Sequence, residues 1–258
     1  MRSDICILIP ARIASTRLPN KLLIKISNLP VIEHTRRRAL LNKFQIPVYV
    51  VTGDREIAQT IENFGGKVLI NKENHENGTD RCAEVVKKLK YKKYIILQGD
   101  EILIDPKNID RMITYSKKNS KASVINAICK LNKTQDLFDN SIVKCYLNRE
   151  NEILSLFRKS PLTIDKIKQL KHVWKVSGLF VYSKTTLIKL STKSIGKMQA
   201  LESIEQFKLM ENKINIKTIE ITDNGNSLNT TSDLKQIRRI LLNDPKQAKI
   251  LKDILKLK

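Results

Sequence analysis

Ile7-Leu8-Ile9-Pro10-Ala11-Arg12-Ile13-Ala14-Ser15-Thr16-Arg17-Leu18-Pro19-Asn20-Lys21-Leu22-Leu23 is an apolar strand that runs into a polar loop carrying three cations, Arg12, Arg17 and Lys21. Open α/β sheets bind ligands at the carboxyl ends of their parallel strands. Arginine offers a planar bidentate grip on phosphate oxygens and lysine a mobile point charge. The loop is therefore a natural holder for a triphosphate. It does not match the GxxxxGK[ST] phosphate loop.

Working outward, strand-like and helix-like segments alternate through the first half. Strands are expected at Ile5–Ile9, Pro47–Thr52, Lys67–Ile70, Tyr94–Leu97 and Ser123–Cys129. Helices are expected at Ile32–Asn42, Arg55–Phe64, Thr79–Leu89 (started by Thr79 or Asp80) and from Pro106. From Leu131 to Tyr182 the pattern shifts to short β-like runs with polar connections. Helical segments near Leu201–Glu211, Ser232–Leu242 and Pro245–Leu255 close the chain, with a strand at Ile214–Ile221. The expected fold is α/β, a three-layer, mostly parallel sheet with a small antiparallel β element. It forms one domain with a core of 1–130 and 183–258 and a smaller β-rich subdomain of 131–182.

The chain has 258 residues, 41% of them apolar, enough for a sizeable core. No apolar run is long enough to span a membrane, and the N-terminal run is too short for a signal sequence, so the sequence reads as cytoplasmic. Four cysteines without CxxC spacing argue against a zinc or disulfide framework and for buried free thiols. The net charge of +22 invites a nucleic-acid reading. The lysines are spread along the whole length, however, and the few aromatics do not interleave with them. That pattern is a solvated surface, with only weak binding of polyanions at low salt.

Two further stretches carry chemistry. Gln98-Gly99-Asp100-Glu101 follows a buried strand. Adjacent carboxylates there point to opposite sides, so Asp100 facing the cationic loop could hold Mg2+, which favours one or two carboxylates plus phosphate oxygens. A surface turn fits the same residues. In His75-Glu76-Asn77-Gly78-Thr79-Asp80-Arg81, Gly78 allows close backbone approach, Asn77 and Thr79 offer hydrogen bonds, and Arg81 adds a cation. An N-capped helix after a glycine turn fits equally, with His75 a loop histidine.

Taken together, Ile9-Pro10-Ala11-Arg12 with Ser15 to Pro19 and Lys21, Gly78-Thr79-Asp80-Arg81 with Ala83-Glu84-Val85, and Gln98 to Glu101 with Leu103-Ile104 occur in order. They resemble the 3-deoxy-manno-octulosonate (Kdo) cytidylyltransferases, and the likeness spans nearly the whole chain. Leu201-Glu202, Glu205-Gln206 and Met210-Glu211-Asn212 are similar to that family's sugar-binding helix. The resemblance implies a nucleotidyltransferase (Rossmann-like, GT-A-like) fold and a homodimer joined near 131–182. It also implies Mg2+-dependent transfer of CMP from CTP to a 2-keto-3-deoxy sugar acid, releasing pyrophosphate, for surface polysaccharide or lipopolysaccharide synthesis. Arg12, Lys21 and Asp100 would be catalytic. Ala11, Arg12, Ser15, Arg17, Lys21, Asn77, Thr79 and Arg81 would seat the nucleotide, and Gln98, Lys159, Glu205 and Gln206 the sugar. Asp100 and Asn229 would hold the metal.

Three departures stand out. Asn229 replaces the aspartate of the family's Val-Asp-Thr run. Val176-Ser177-Gly178-Leu179-Phe180 replaces His-x-Gly-Ile-Tyr. Lys159 stands at the arginine of an Arg-Ser-Pro turn. Against the family's pattern the nucleotide half of the site is complete and the acceptor half altered, so the acceptor, Kdo or a related acid, need not be Kdo itself: another 3-deoxy or nonulosonic sugar acid, a modified Kdo or a less common acidic acceptor also fits. A non-catalytic or weakly active nucleotide- and sugar-binding homologue is the alternative.

Overall fold

Ile5–Pro10 forms β1, with every residue buried, in the computed structural model. That structure describes residues 3–15, 17–73, 75, 77–223, 225 and 227–257; Thr16 and Glu76 of the quoted motifs lie outside the described residues. The chain divides into two units, Met1–Asp110 with Asn224–Lys258, and Arg111–Asp223. Residues 131–182, expected as a subdomain, lie inside the second unit, whose bounds are wider.

In the first unit β1 leads through a 3-10 turn at Lys21–Leu23 to a small hairpin of β2 (Lys25–Ile26) and β3 (Leu29–Pro30). The hairpin turns on Ser27 and Asn28, both with positive φ, as a two-residue primed turn requires. Next come α1 (Val31–Leu40), β4 (Val48–Thr52), α2 (Arg55–Asn63), β5 (Val68–Ile70), α3 (Gly78–Val86) and β6 (Lys93–Leu97). The strand order is β6-β1-β4-β5, and every neighbouring pair is parallel. The chain moves from β1 to one side and returns on the other at β6. The crevice beyond the carboxyl ends of β1 and β6 is therefore a topological switch point, where such sheets bind ligands.

α1 buries an unusual number of charges. Glu33 accepts from Arg36 and Arg37, each at 2.6 Å. His34 is fully buried, and its Nε2–H donates to the Ile26 carbonyl at 2.7 Å, tying α1 to the hairpin. Burial lowers its pKa to about 4. The unfolded chain takes up a proton near the ordinary value of about 6.5, so stability falls as pH drops from there toward about 4, by up to about 3 kcal/mol. Melting temperatures of His34→Gln, which keeps a donor but cannot titrate, are expected to vary less across that window than those of the parent. Parallel curves would show that His34 does not set the pH response.

α4 (Pro106–Lys118) runs across the boundary into the second unit. There β7 (Val124–Lys130), β8 (Lys144–Leu147), β9 (Ile153–Phe157), α5 (Lys166–Gln169), β10 (Trp174–Ser183), α6 (Lys184–Ser191), α7 (Lys197–Glu202), α8 (Phe207–Glu211) and β11 (Lys217–Glu220) follow. β7 pairs antiparallel with β10 and parallel with β11. β8 joins β10 and β9 antiparallel, the expected antiparallel element. Leu131, Leu137, Ile142, Phe157 and Val173 pack as its own small core. Lys144 is fully buried, and its ammonium donates to the carbonyls of Asp139, Ile142 and Arg158, stitching these loops together.

The single helix expected near Leu201–Glu211 is instead two. Ser203, at φ 52, ends α7 in the left-handed region. The Arg158 guanidinium takes the carbonyls of Glu202 and Ser203, at 2.7 and 2.8 Å. A helix C-terminus leaves such carbonyls unpaired, and a distant arginine satisfies them here. Back in the first unit, α9 (Thr231–Asn243) and α10 (Pro245–Lys256) close the chain.

Candidate active site

A cavity of about 340 Å3 opens at the carboxyl ends of β1 and β6. Ala11, Arg12, Ser15, Arg17, Lys21, Asn77, Arg81, Gln98 and Asp100 of the sequence-derived set all line it. Thr79 does not; it is buried in the first turn of α3.

Each strand end contributes one part. Beyond β1, the Ala11 N–H still bonds to Val51 O at 2.9 Å. The Ile13 N–H then donates to Asp54 Oδ2 at 2.8 Å, which fixes the path of the cationic loop. Asp54 follows β4, and the sequence reading gave it no role. Its only signal was its place directly after a strand-ending glycine. Beyond β5, Asn71 Oδ1 accepts from Arg81 Nη1 at 2.7 Å. Arg81 is mostly buried; desolvation lowers its pKa and Asp54 opposes that shift. It therefore enters the cavity as a side chain already oriented from behind.

α3 begins at Asn77, not at Thr79 or Asp80. The Asn77 side chain accepts from the Asp80 N–H at 2.8 Å and donates to Asp80 Oδ2 at 2.9 Å. Asn77 caps better because its side chain reaches the third helical N–H, whereas Thr79 already lies within the first turn. A Cβ on Gly78 would stand 2.8 Å from Pro10 Cγ, so the helix start can approach β1 only with glycine there. His75 Nε2 lies 2.7 Å from Glu84, whose other carboxylate oxygen accepts the Lys72 N–H. That contact holds the loop leading into α3.

Beyond β6 the adjacent carboxylates diverge as expected. Glu101 is buried and accepts from Ser227 Oγ at 3.1 Å. Asp100 faces the cavity, with Oδ2 2.5 Å from Lys21 Nζ. Asn229 Oδ1 is 3.3 Å from the same ammonium and 3.1 Å from Arg17 Nη2. The three segments that carry Arg17 with Lys21, Asp100 and Asn229 thus meet at one point, although Lys21 lies 79 residues from Asp100 and 208 from Asn229 in sequence. Asn229 is held there by the start of α9. Asp233 accepts from the backbone N–H groups of Asn229 and Thr230, at 3.0 and 2.8 Å, in a capping box with Thr230.

Arg12, Arg17, Lys21 and Arg81 border the cavity with Asp100 as the single carboxylate among its described lining residues. The excess of positive charge suits a polyanion. Asp100 and Asn229 gather two oxygens around one cationic atom. An oxygen-only pair of this kind matches a hard divalent cation better than a transition metal.

Residues 6–244 match the family profile described as cytidylyltransferase. The chain belongs to the cytidylyltransferase family. A 3-deoxy-manno-octulosonate cytidylyltransferase of Escherichia coli is 33% identical over 243 residues, covering 93% of this chain and 96% of its own. That of Thermodesulfovibrio yellowstonii is 34% identical over 251 residues, covering 92% and 97%. The solved structure of a CMP:2-keto-3-deoxy-manno-octonic acid synthetase complexed with CTP superposes with a TM-score of 0.86 at 30% identity, covering 94% of this chain and all of that one. A 4-diphosphocytidyl-2C-methyl-D-erythritol synthase of Anaerococcus prevotii, 13% identical with a TM-score of 0.62, shares the fold alone.

As a cytidylyltransferase, the chain is a CTP-dependent nucleotidyltransferase with the expected α/β nucleotidyltransferase fold. Of the residues expected at the acceptor, Gln98 lines the cavity. Lys159, Glu205 and Gln206 belong to the second unit, where Lys159 is exposed, Glu205 half-buried and Gln206 buried. Glu205 and Gln206 lie in the break between α7 and α8. The pairing of β10 with β7 shifts register between Val176 and Phe180, so the altered strand carries a bulge, a device that re-aims side chains. Among the described residues no helix is long and apolar enough to cross a membrane.

Proposed function

We propose that this cytidylyltransferase moves CMP from CTP to Kdo in the cytoplasm, with Mg2+, for the synthesis of surface polysaccharide or lipopolysaccharide. The observation that carries the reading is the convergence of Arg17, Lys21, Asp100 and Asn229 at the mouth of β1 and β6. The reaction is a displacement at phosphorus. The anomeric hydroxyl of the acid bonds to the α-phosphorus, the bond to the β-phosphate oxygen breaks, the hydroxyl proton is lost, and pyrophosphate leaves. Arg12, Arg17 and Lys21 hold the triphosphate and offset charge growing on the leaving pyrophosphate. Ala11, Ser15, Asn77, Thr79 and Arg81 shape the nucleotide's seat, Thr79 from within α3. Gln98, Lys159, Glu205 and Gln206 recognise the sugar acid. Asp100 and Asn229 would hold Mg2+, which supplies positive charge against the α-phosphate. Pyrophosphate release from CTP and Mg2+ that depends on added Kdo tests this. Release of equal size with a different sugar acid, and none with Kdo, would reassign the acceptor.

Asn229 leaves the metal with one carboxylate. Restoring the charge with Asn229→Asp is expected to lower the Mg2+ concentration for half-maximal rate by about fivefold, since ligand charge tunes such sites. An unchanged Mg2+ profile would place the metal elsewhere. Asn229 also favours the second reading, a homologue that binds nucleotide without turnover. CTP binding by calorimetry with no pyrophosphate from any sugar acid would establish it.

We also infer a homodimer joined through the second unit, where Phe138, Leu154, Ile164 and Ile167 are exposed. Light scattering giving a monomer mass at micromolar concentration would exclude it.

A further inference from the structure

α10 begins at Pro245, one residue beyond the span that matches the cytidylyltransferase profile. It nevertheless reaches the loop that presents Asp100. Asp244 caps α10 by accepting the Gln247 N–H at 2.8 Å, which sets the backbone of Gln247. The Gln247 side chain is buried and uses both ends of its amide. Nε2 donates to Leu103 O at 2.9 Å, and Oε1 accepts from Arg38 Nη1 at 2.8 Å. The same Arg38 nitrogen donates to Ile104 O at 3.1 Å, and Arg38 is fully buried.

The other end of the loop is held from α1 as well. Thr35 Oγ1 donates to Gly99 O at 2.9 Å, and the Leu228 N–H to Asp100 O at 3.1 Å. Within the loop, the Glu101 N–H bonds to Gln98 O and the Ile104 N–H to Glu101 O, each at 3.1 Å. The carbonyls of Gly99, Asp100, Leu103 and Ile104 are thus each taken by a donor from outside the loop. Lys246 adds an ion pair to Asp105 at 2.6 Å, and Arg37 Nη1 binds Ile254 O at 2.8 Å, locking the far end of α10 to α1.

We propose that Gln247, together with Arg38, is a positioning residue for the transfer reaction: the α10 amide and the α1 guanidinium hold the loop carbonyls that fix where Asp100 stands. A buried carbonyl held by a side-chain donor has little freedom, because losing the bond leaves it unpaired. Small displacements of a reacting group cost large factors in rate. The catalytic consequence rests on the function proposed above; the mechanical one does not.

The test uses the full-length protein with three variants. Gln247→Met keeps the volume and removes both hydrogen bonds. Gln247→Glu keeps an acceptor for Arg38, with charge, but removes the donor to Leu103. Ile254→Val loosens the packing of α10 without touching the loop. Amide exchange at Glu101 and Ile104 is expected to rise about tenfold or more in both Gln247 variants, as local opening becomes easier, and to stay at the parent value in Ile254→Val. Turnover per enzyme is expected to fall about tenfold in both Gln247 variants, with the CTP KM within about threefold, the split of a positioning loss. Turnover is measured well below the melting temperature of each variant, so its loss cannot come from unfolding.

Exchange at Glu101 and Ile104 equal to the parent in Gln247→Glu would overturn the proposal. So would equal loosening in Ile254→Val, or loosened amides with parent turnover. If the parent itself makes no pyrophosphate while the amides loosen as expected, the proposed activity fails and the mechanical clamp stands.

Discussion

Replacing Asp100 with alanine is expected to cut pyrophosphate release at least about 1,000-fold, a rise of about 4 kcal/mol in the barrier. Asp100 is the only carboxylate among the described residues lining the cavity, and it faces the Lys21 ammonium. Its loss removes the charged ligand from the proposed metal position and leaves there, of the two side-chain oxygens described, only that of Asn229. The backbone does not depend on the side chain, because Thr35, Arg38, Gln247 and the Leu228 N–H hold the loop. The variant should therefore fold. Asp100→Asn, which keeps shape and one oxygen but no charge, should lose nearly as much. Turnover within tenfold of the parent in either variant would mean that Asp100 carries no charge-dependent part of the reaction.

The second large effect belongs to Lys21. Lys21→Met is expected to raise the CTP KM by about 10- to 100-fold, the range for one charge-assisted contact of about 1.5–3 kcal/mol. The ammonium lies between Asp100 and Asn229. A triphosphate offers it a denser set of oxygens a short side-chain swing away. The lysine stem permits that swing, whereas a rigid guanidinium fork does not, so Lys21→Arg should rescue only in part. Initial rates over a CTP series separate the terms. A lower kcat at an unchanged KM would assign Lys21 to holding Asp100 in place of the triphosphate.

Much of this was written locally in the chain. The run of buried apolar residues before Ala11 gave β1, and the cations after it gave the cavity's charge. The adjacent Asp100 and Glu101 diverge as strand-end geometry demands. What local pattern could not show depends on partners far along the chain. The break between α7 and α8 exists because Arg158 takes the carbonyls of Glu202 and Ser203, more than 40 residues away. Helical periodicity ran on through it unbroken. The start of α3 moved to Asn77 because a side chain that reaches the third helical N–H outcompetes one already inside the turn. Asp54 and Gln247 read as an ordinary turn acid and an ordinary helix amide. Their roles follow from Ile13 and Leu103, which only the folded chain brings to them. The β2–β3 hairpin has no local mark in the sequence, because Ser27-Asn28 lacks the glycine that usually signals a primed turn.

The resemblance placed donor and acceptor halves in different parts of the sequence, and the structure gives them different characters. Of the residues that the resemblance assigns to the nucleotide, all but Thr79 line one charged cavity in the first unit, together with Gln98 of the sugar set. Lys159, Glu205 and Gln206 lie in the second unit, with Glu205 and Gln206 in the break between α7 and α8. Mass spectrometry of the product formed from CTP, Mg2+ and Kdo tests the central claim most directly. The account predicts a CMP-linked sugar acid appearing in equal amount with pyrophosphate; a protein that binds CTP yet yields no such adduct from Kdo would contradict it.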